Sequence, residues 1–346
     1  MRYRGGERMV KSGSKTTVEM VAPRQLARIG VDGLPAVIAA AGEKAGRRFF
    51  EFFTAGIENR NTREAYARDV GQFLEWCDRK RLSLANIDPV TVAAYVKVIQ
   101  DPRDQGGAEC GKPTTKRKLA AIRMMFDYLV TGGVIPFNPA SSVRGPKYVV
   151  KKGKTPVLDQ EQARQLLDSI DGNNVVGLRD RALIAVMIYS FARISAVVAM
   201  NVADYYRNGR RSWFRLHEKG GKHHEVPAHH KAEEYLDAYI AAAGIENQPN
   251  APLFRSAVGR MGKLNENRLH RLNALQMVKR RAKRLGLPRD IRCHTFRATG
   301  ITAYLQNGGT IENAQAIAAH ESPRTTKLYD RTTDEITLDE IERISI

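Results

Sequence analysis

Cysteine is scarce in this chain. Its three residues, Cys77, Cys110 and Cys293, are odd in number and far apart, which suits neither a disulfide framework nor a C-x-x-C zinc site, so they read as reduced thiols. Long apolar runs are absent too: no stretch of about 18 apolar residues could cross a bilayer, and the N-terminal residues lack the apolar core of a secretory signal. A soluble, cytoplasmic protein with no membrane partner is expected. No internal repeat or low-complexity tract stands out. Acid is also in deficit, since 37 Asp and Glu face 56 Lys and Arg and leave a net charge of +19. The basic residues recur throughout the chain, and an excess this large costs self-repulsion, so the expected partner is a polyanion, nucleic acid above all.

What is present supports two domains. With 346 residues, 42% of them apolar, the chain has material for two cores of ordinary size. Residues 1–45 begin basic and pass into the Ala/Gly-rich "DGLPAVIAAAGEKAG", with no legible role. From residue 59, "NRNTREAYARDVGQFLEWC" places Tyr66, Val70, Phe73, Leu74 and Cys77 on one helical face, with Asn61 and Glu64 spaced as an N-cap and its N3 partner. In "PTTKRKLAAIRMMFDYLVTGG" the apolar face is Leu119, Ile122, Phe126 and Leu129, Lys116, Arg117 and Arg123 are basic, and a Gly pair ends the pattern. "DPVTVAAYVKVIQ" between them reads as a third helix. The prolines and lysines of "IPFNPASSVRGPKYVVKKGKTP" suit an extended linker, which sets a helical domain at 46–145, a linker at 146–156 and a second domain at 157–332. That second domain reads as helices at "DQEQARQLLDSI" and "LRDRALIAVMIYSFARISAVVAM", plus two short strands joined by a Gly-Gly turn in "RSWFRLHEKGGKHHEVPAH". The fold class is therefore mainly α with a small antiparallel β-sheet.

Two motifs are set aside. "GGAECGKP" has the glycine and lysine spacing of a phosphate-binding loop, but Pro113 occupies the Ser/Thr position that holds magnesium and no buried strand precedes it. In "KHHEVPAHH", His223 and His224 are neighbours on a strand and point to opposite faces, so they do not readily share a metal ion; a basic hairpin touching DNA is the better reading.

The remaining motifs gain meaning together. His294 and Arg297 in "CHTFRATGITAYLQNGG" are three apart, on one side of a helix. His320 and Tyr329 follow in "AAHESPRTTKLYDRTT". Arg193 comes just after an apolar helix in "YSFARIS", and Lys219 sits at the hairpin tip, with Lys222 on the same turn as its alternative. Phosphoryl transfer to a protein hydroxyl needs a nucleophile, a proton acceptor, a proton donor for the leaving oxygen, and cations on the non-bridging oxygens. All are present in one domain.

The ordered set Arg193, Lys219, His294, Arg297, His320 and Tyr329 resembles the active site of the tyrosine recombinases, or phage integrase family. "FARIS" is similar to the family's arginine box, "EKGGKHHEVP" to its lysine hairpin, and "HTFRATGITAYLQNGGTIENAQAIAAHESPRTTKLYDR" to its HxxR-to-tyrosine block; "TREAYARDVGQFLEWC" looks like the first helix of its core-binding domain. The departures are Ala196, where many members have an acidic residue three after the arginine, Phe191 and Ala192 in place of Gly-Leu, and Ala319 in place of a common glycine.

The resemblance implies a two-domain DNA clamp, a helical SAM-like core-binding domain followed by a catalytic domain. It implies that Tyr329 attacks a phosphodiester to give a 3′-phosphotyrosyl bond and a 5′-hydroxyl, without ATP or metal. Arg193 and Arg297 would then hold the non-bridging oxygens, Lys219 protonate the leaving oxygen, His294 accept the tyrosine proton and His320 bond the scissile phosphate. Strand exchange would occur in a homo-tetramer on two double-stranded DNA sites, with room for accessory DNA-bending proteins, in a nucleoid-associated protein of bacterial or phage type. The apolar stripe Leu338, Ile341 and Ile344 on a C-terminal helix at 333–346, which Thr337 and Glu340 would cap, docks on a neighbouring subunit in this reading. The run "KRRAKRLG" adds phosphate contacts from Lys279, Arg280, Arg281, Lys283 and Arg284, beside Lys116, Arg117, Arg123 and Lys222. Two other readings stay open: a type IB topoisomerase, which shares the chemistry, and a catalytically silent architectural DNA-binding protein.

Overall fold

The computed structural model describes residues 33–101, 109–150, 153–218, 223–259 and 261–330. The chain divides into two compact units, Met1–Val149 and Val150–Ile346.

In the first unit the described helices are α1 (Ala36–Ala39), α2 (Glu43–Thr54), α3 (Arg60–Arg79), α4 (Pro89–Gln100) and α5 (Lys112–Thr131). The N-cap of helix α3 is Asn59, two residues before the expected Asn61: it accepts from the backbone N–H groups of Asn61 and Thr62 at 3.0 and 3.2 Å, while Glu64 takes an ion pair from Arg60 at 2.9 Å. Asp88 caps α4, whose first residue is Pro89, where a missing N–H costs nothing. Val70, Phe73, Leu74 and Cys77 of α3 share a core with Leu119, Ile122, Phe126 and Leu129 of α5, and the Phe73 ring meets Tyr95 and Phe126 edge-on at 5.1 and 5.9 Å. Val37, Ile38, Phe49, Phe52 and Phe53 belong to the same core. The helical unit thus includes residues before 46, because the short apolar turn of α1 packs on α3. No helix or strand lies between Thr131 and Gln160 among the described residues.

The second unit holds α6 (Gln160–Asp168), α7 (Val175–Tyr189), α8 (Ile194–Ala199), β1 (Tyr205–Asn208), β2 (Arg211–His217), β3 (His223–Pro227), α9 (His230–Ala243), β4 (Arg255–Ala257), β5 (Leu264–Arg268), α10 (Arg271–Arg284), α11 (Cys293–Gln306), α12 (Ile311–Ile317) and α13 (Pro323–Lys327). Strands β1, β2 and β3 form an antiparallel sheet in that order, and β4 pairs with β5 in a second, unanticipated one. Helix α7 is buried all round and packs against both α9 and α11. Its approach to α11 is close enough that a Cβ at Gly300 would fall 2.0 Å from the Ile188 carbonyl oxygen, so glycine is required there. The apolar run continues only to Tyr189: Ser190 donates back to the Val186 carbonyl, Phe191 turns left-handed at φ 53°, and the chain restarts as α8 with Arg193 at its N-cap.

Candidate active site

Among the described residues, Arg297 is the most buried of the expected site residues, at 1% exposure. Its guanidinium donates to the carbonyl of Phe191 and, at 2.7 Å, to that of Ala318. It thereby ties the turn before Arg193 to the turn before His320, and both turns are left-handed, Ala319 at φ 48°. Helix α11 presents His294 one turn earlier, with Nε2 2.8 Å from the Tyr329 hydroxyl. Tyr329 follows α13, a short helix capped by Ser322 with Pro323 at its first position, and its carbonyl accepts from the Thr302 hydroxyl of α11 at 2.9 Å. The His320 ring lies nearly parallel to the Tyr329 ring, 5.7 Å between centroids and 10° between planes, and its Nδ1 is 2.9 Å from the Thr326 hydroxyl. Arg193, a third exposed, forms an ion pair with the buried carboxylate of Glu218. One site therefore gathers Arg193, His294, Arg297, His320 and Tyr329. Lys219 and Lys222 lie outside the described residues, between the end of β2 at His217 and the start of β3 at His223.

The electrostatics favour neutral imidazoles. Burial, then the guanidiniums of Arg297 and Arg193, push His320 down to about 3 and hold His294 below its ordinary value. Burial and the like charge of Arg193 lower Arg297 to about 10, which leaves it cationic near neutral pH.

Three groups of this constellation carry no sequence signal. Glu218 and Thr326 are recognisable only from their spatial partners. His224 is the third: its Nε2 donates to the Ile317 carbonyl at 2.9 Å and ties β3 to the end of α12, three residues before His320. His224 is thus used inside the fold, and His223 faces the other way, against the His217 ring at 4.7 Å, so the two do not share a side of the strand. No group of three or more His, Cys, Asp or Glu able to hold a metal ion occurs among the described residues.

The expected phosphate contacts divide. Lys116, Lys279, Arg280, Lys283 and Arg284 are exposed, and Arg117 is half-exposed while paired with Asp69 at 2.9 Å. Arg123 and Arg281 are not available. The first donates to the carbonyls of Ala140 and Val143 at 3.2 and 2.8 Å and fastens the segment after α5. The second pairs with Asp180, a fully buried carboxylate of α7, at 2.8 Å, because the buried face of α10 passes through that position.

The phage integrase family model matches residues 156–335, and the model described as phage integrase, N-terminal SAM-like domain, matches residues 48–133. The chain belongs to the phage integrase family. It is a tyrosine recombinase, an enzyme of DNA strand breakage and rejoining. This recombinase is 28% identical over 273 residues to a tyrosine recombinase XerC of Pelobacter propionicus, covering 78% of this chain and 84% of the relative, and 26% identical over 289 residues to a tyrosine recombinase XerD of Halalkalibacterium halodurans, covering 82% and 91%. In fold it is similar to XerH site-specific recombinase bound to palindromic difH substrate (TM-score 0.63, 19% identity, 93% of each chain). It is also similar to a lambda integrase fragment dimer bound to a COC′ core site (TM-score 0.62, 16% identity, 85% of this chain and 98% of that one). The mainly helical architecture, a SAM-like helical domain followed by a catalytic domain with small antiparallel sheets, is that of the family. The topoisomerase and architectural readings are not favoured, since both family models match in the order of a recombinase.

Among the described residues no helix is long and apolar enough to cross a membrane. The C-terminal helix expected at 333–346 lies outside the described residues.

Proposed function

We propose that Tyr329 is the nucleophile of this recombinase and that the five gathered side chains divide the work around one scissile phosphate. The observation that carries the assignment is the 2.8 Å contact between His294 Nε2 and the Tyr329 hydroxyl. A neutral imidazole at that distance accepts the phenol proton as the oxygen attacks phosphorus. The new bond joins the Tyr329 oxygen to phosphorus, the bond to the 5′ oxygen breaks, and Lys219 supplies that oxygen with a proton. The product is a 3′-phosphotyrosyl ester and a 5′-hydroxyl. The diester's energy is conserved, so attack by another strand's 5′-hydroxyl reseals the DNA.

Arg193 and Arg297 hold the non-bridging oxygens, where removal of one preorganised donor costs on the order of 10²-fold in rate. His320 donates from Nε2 to the phosphate, in the tautomer whose Nδ1 accepts from the Thr326 hydroxyl 2.9 Å away. The net charge of +19 and the exposed cations of α5 and α10 support double-stranded DNA as the partner. Family membership supports strand exchange within a homo-tetramer on two sites, with the segment at 333–346 docking on a neighbouring subunit. It also supports a role in moving or resolving DNA elements, with accessory DNA-bending proteins setting direction.

The test incubates the protein and its Tyr329→Phe variant, without metal, with a nicked suicide duplex carrying the DNA that flanks its gene. A protein-DNA adduct on a denaturing gel that disappears with the variant is the expected result. An adduct that persists in Tyr329→Phe means the nucleophile is another residue.

A further inference from the structure

We propose that Glu218 is the positioning residue for Arg193, taking over from the hairpin the task of an acid that the arginine's own helix lacks. The burial alternation of β2 buries Ser212, Phe214 and Leu216 and leaves Arg211 and His217 exposed. Glu218 continues the buried parity just past the strand, with its side chain 4% exposed. A carboxylate on the core side of a sheet is costly unless it is paired. Its partner is Arg193, reached across the sequence from β2 to the N-terminus of α8. Ala196, three residues after Arg193, is fully buried and brings no charge.

Three consequences follow for the site. The ion pair commits one terminal nitrogen of Arg193 and leaves its other donors for a phosphate, so the long side chain has lost its rotamer freedom before DNA arrives. The negative charge also offsets the repulsion between two guanidiniums: Arg193 depresses the Arg297 pKa and Glu218 raises it. Finally, the pair fastens the end of β2 to the N-terminus of α8, so the strand and the arginine keep their spacing.

This inference rests on Tyr329 and Arg193 acting as assigned above, and the experiment separates the two. Single-turnover cleavage of a suicide duplex at saturating protein, duplex affinity and melting temperature are measured for wild type, Glu218→Gln, Glu218→Asp, Arg193→Ala and the Glu218→Gln/Arg193→Ala double variant. Wild type without a Tyr329-dependent adduct means that the site assignment has failed. With that adduct present, Glu218→Gln is expected to cleave about tenfold or more slowly, since one misaligned transition-state donor costs at least that much, while duplex affinity changes less than threefold. Glu218→Asp recovers part of the rate, and Glu218→Gln has little further effect once Arg193 is alanine, because the two act through one contact. Three outcomes overturn the proposal: an unchanged or faster rate in Glu218→Gln, the latter marking Glu218 as a competitor of the phosphate; equal slowing with and without Arg193; or loss of duplex binding and fold together with cleavage.

Discussion

Ala319 and Phe191 both hold a left-handed backbone, at φ 48° and 53°, where a side chain costs about 1–2 kcal/mol. Their substitutions by glycine have opposite signs. At Ala319 nothing large is removed, and strain relief outweighs the roughly 0.4–1 kcal/mol that glycine's unfolded-state freedom removes. Ala319→Gly is therefore expected to be neutral to about 1 kcal/mol stabilising, read from denaturant midpoints. The Phe191 ring is buried in a small cluster with Ile301, Leu305, Ala314 and Ala318, and deleting such a ring costs about 3–5 kcal/mol, more than the strain returned. Phe191→Gly is expected to destabilise strongly and, because the Phe191 carbonyl receives Arg297, to slow cleavage as well.

His294 makes a second prediction at this scale. Its folded pKa lies below 6.5 through burial and two nearby guanidiniums, so the base form persists at pH values where an ordinary histidine is protonated. The second-order rate constant for cleavage, which reports the free enzyme, should hold its value through pH 6.5 and fall only at lower pH. Replacing His294 with glutamine should lower the rate and abolish that limb. An acid limb centred at or above 6.5 in the wild type would exclude His294 as the base in this environment.

At the scale of the element, legibility followed periodicity. Helices α3 and α5 each bury one face, and their apolar residues recur every three or four positions, so they were readable with the cap misplaced by two residues. Helix α7 is buried all round and has no face to read; its run into α8 shows no periodic signal of the break, which the Ser190 back-bond and the left-handed Phe191 impose. Strands β4 and β5 escaped because they are three and five residues long, and β5, "LNENR", is too polar and exposed to mark a strand. The site divides in the same way. His294 and Arg297 were readable as neighbours because i and i+3 share a helix face. Glu218, His224 and Thr326 were not, because each gains its role only when β2, β3 or α13 packs beside a distant partner.

For the whole molecule, charge is the property that the composition made plain, but its effect depends on which cations are free. Lys279, Arg280, Lys283 and Arg284 are exposed on α10, whereas Arg281, on the same helix, is spent on the buried Asp180. Substituting the four exposed residues with glutamine should leave the melting temperature nearly unchanged. It should also weaken duplex binding and lower the slope of log affinity against log salt by about one for each DNA phosphate that is no longer neutralised. Arg281→Gln should behave oppositely: it removes one of the two guanidiniums on Asp180, which keeps Arg179, a destabilisation of about 1–3 kcal/mol, and takes no cation away from the DNA. Binding isotherms at several salt concentrations, paired with thermal melts, distinguish the two classes. A quadruple variant with an unchanged salt slope would place the DNA path away from α10 and leave the charge of that helix to solvent.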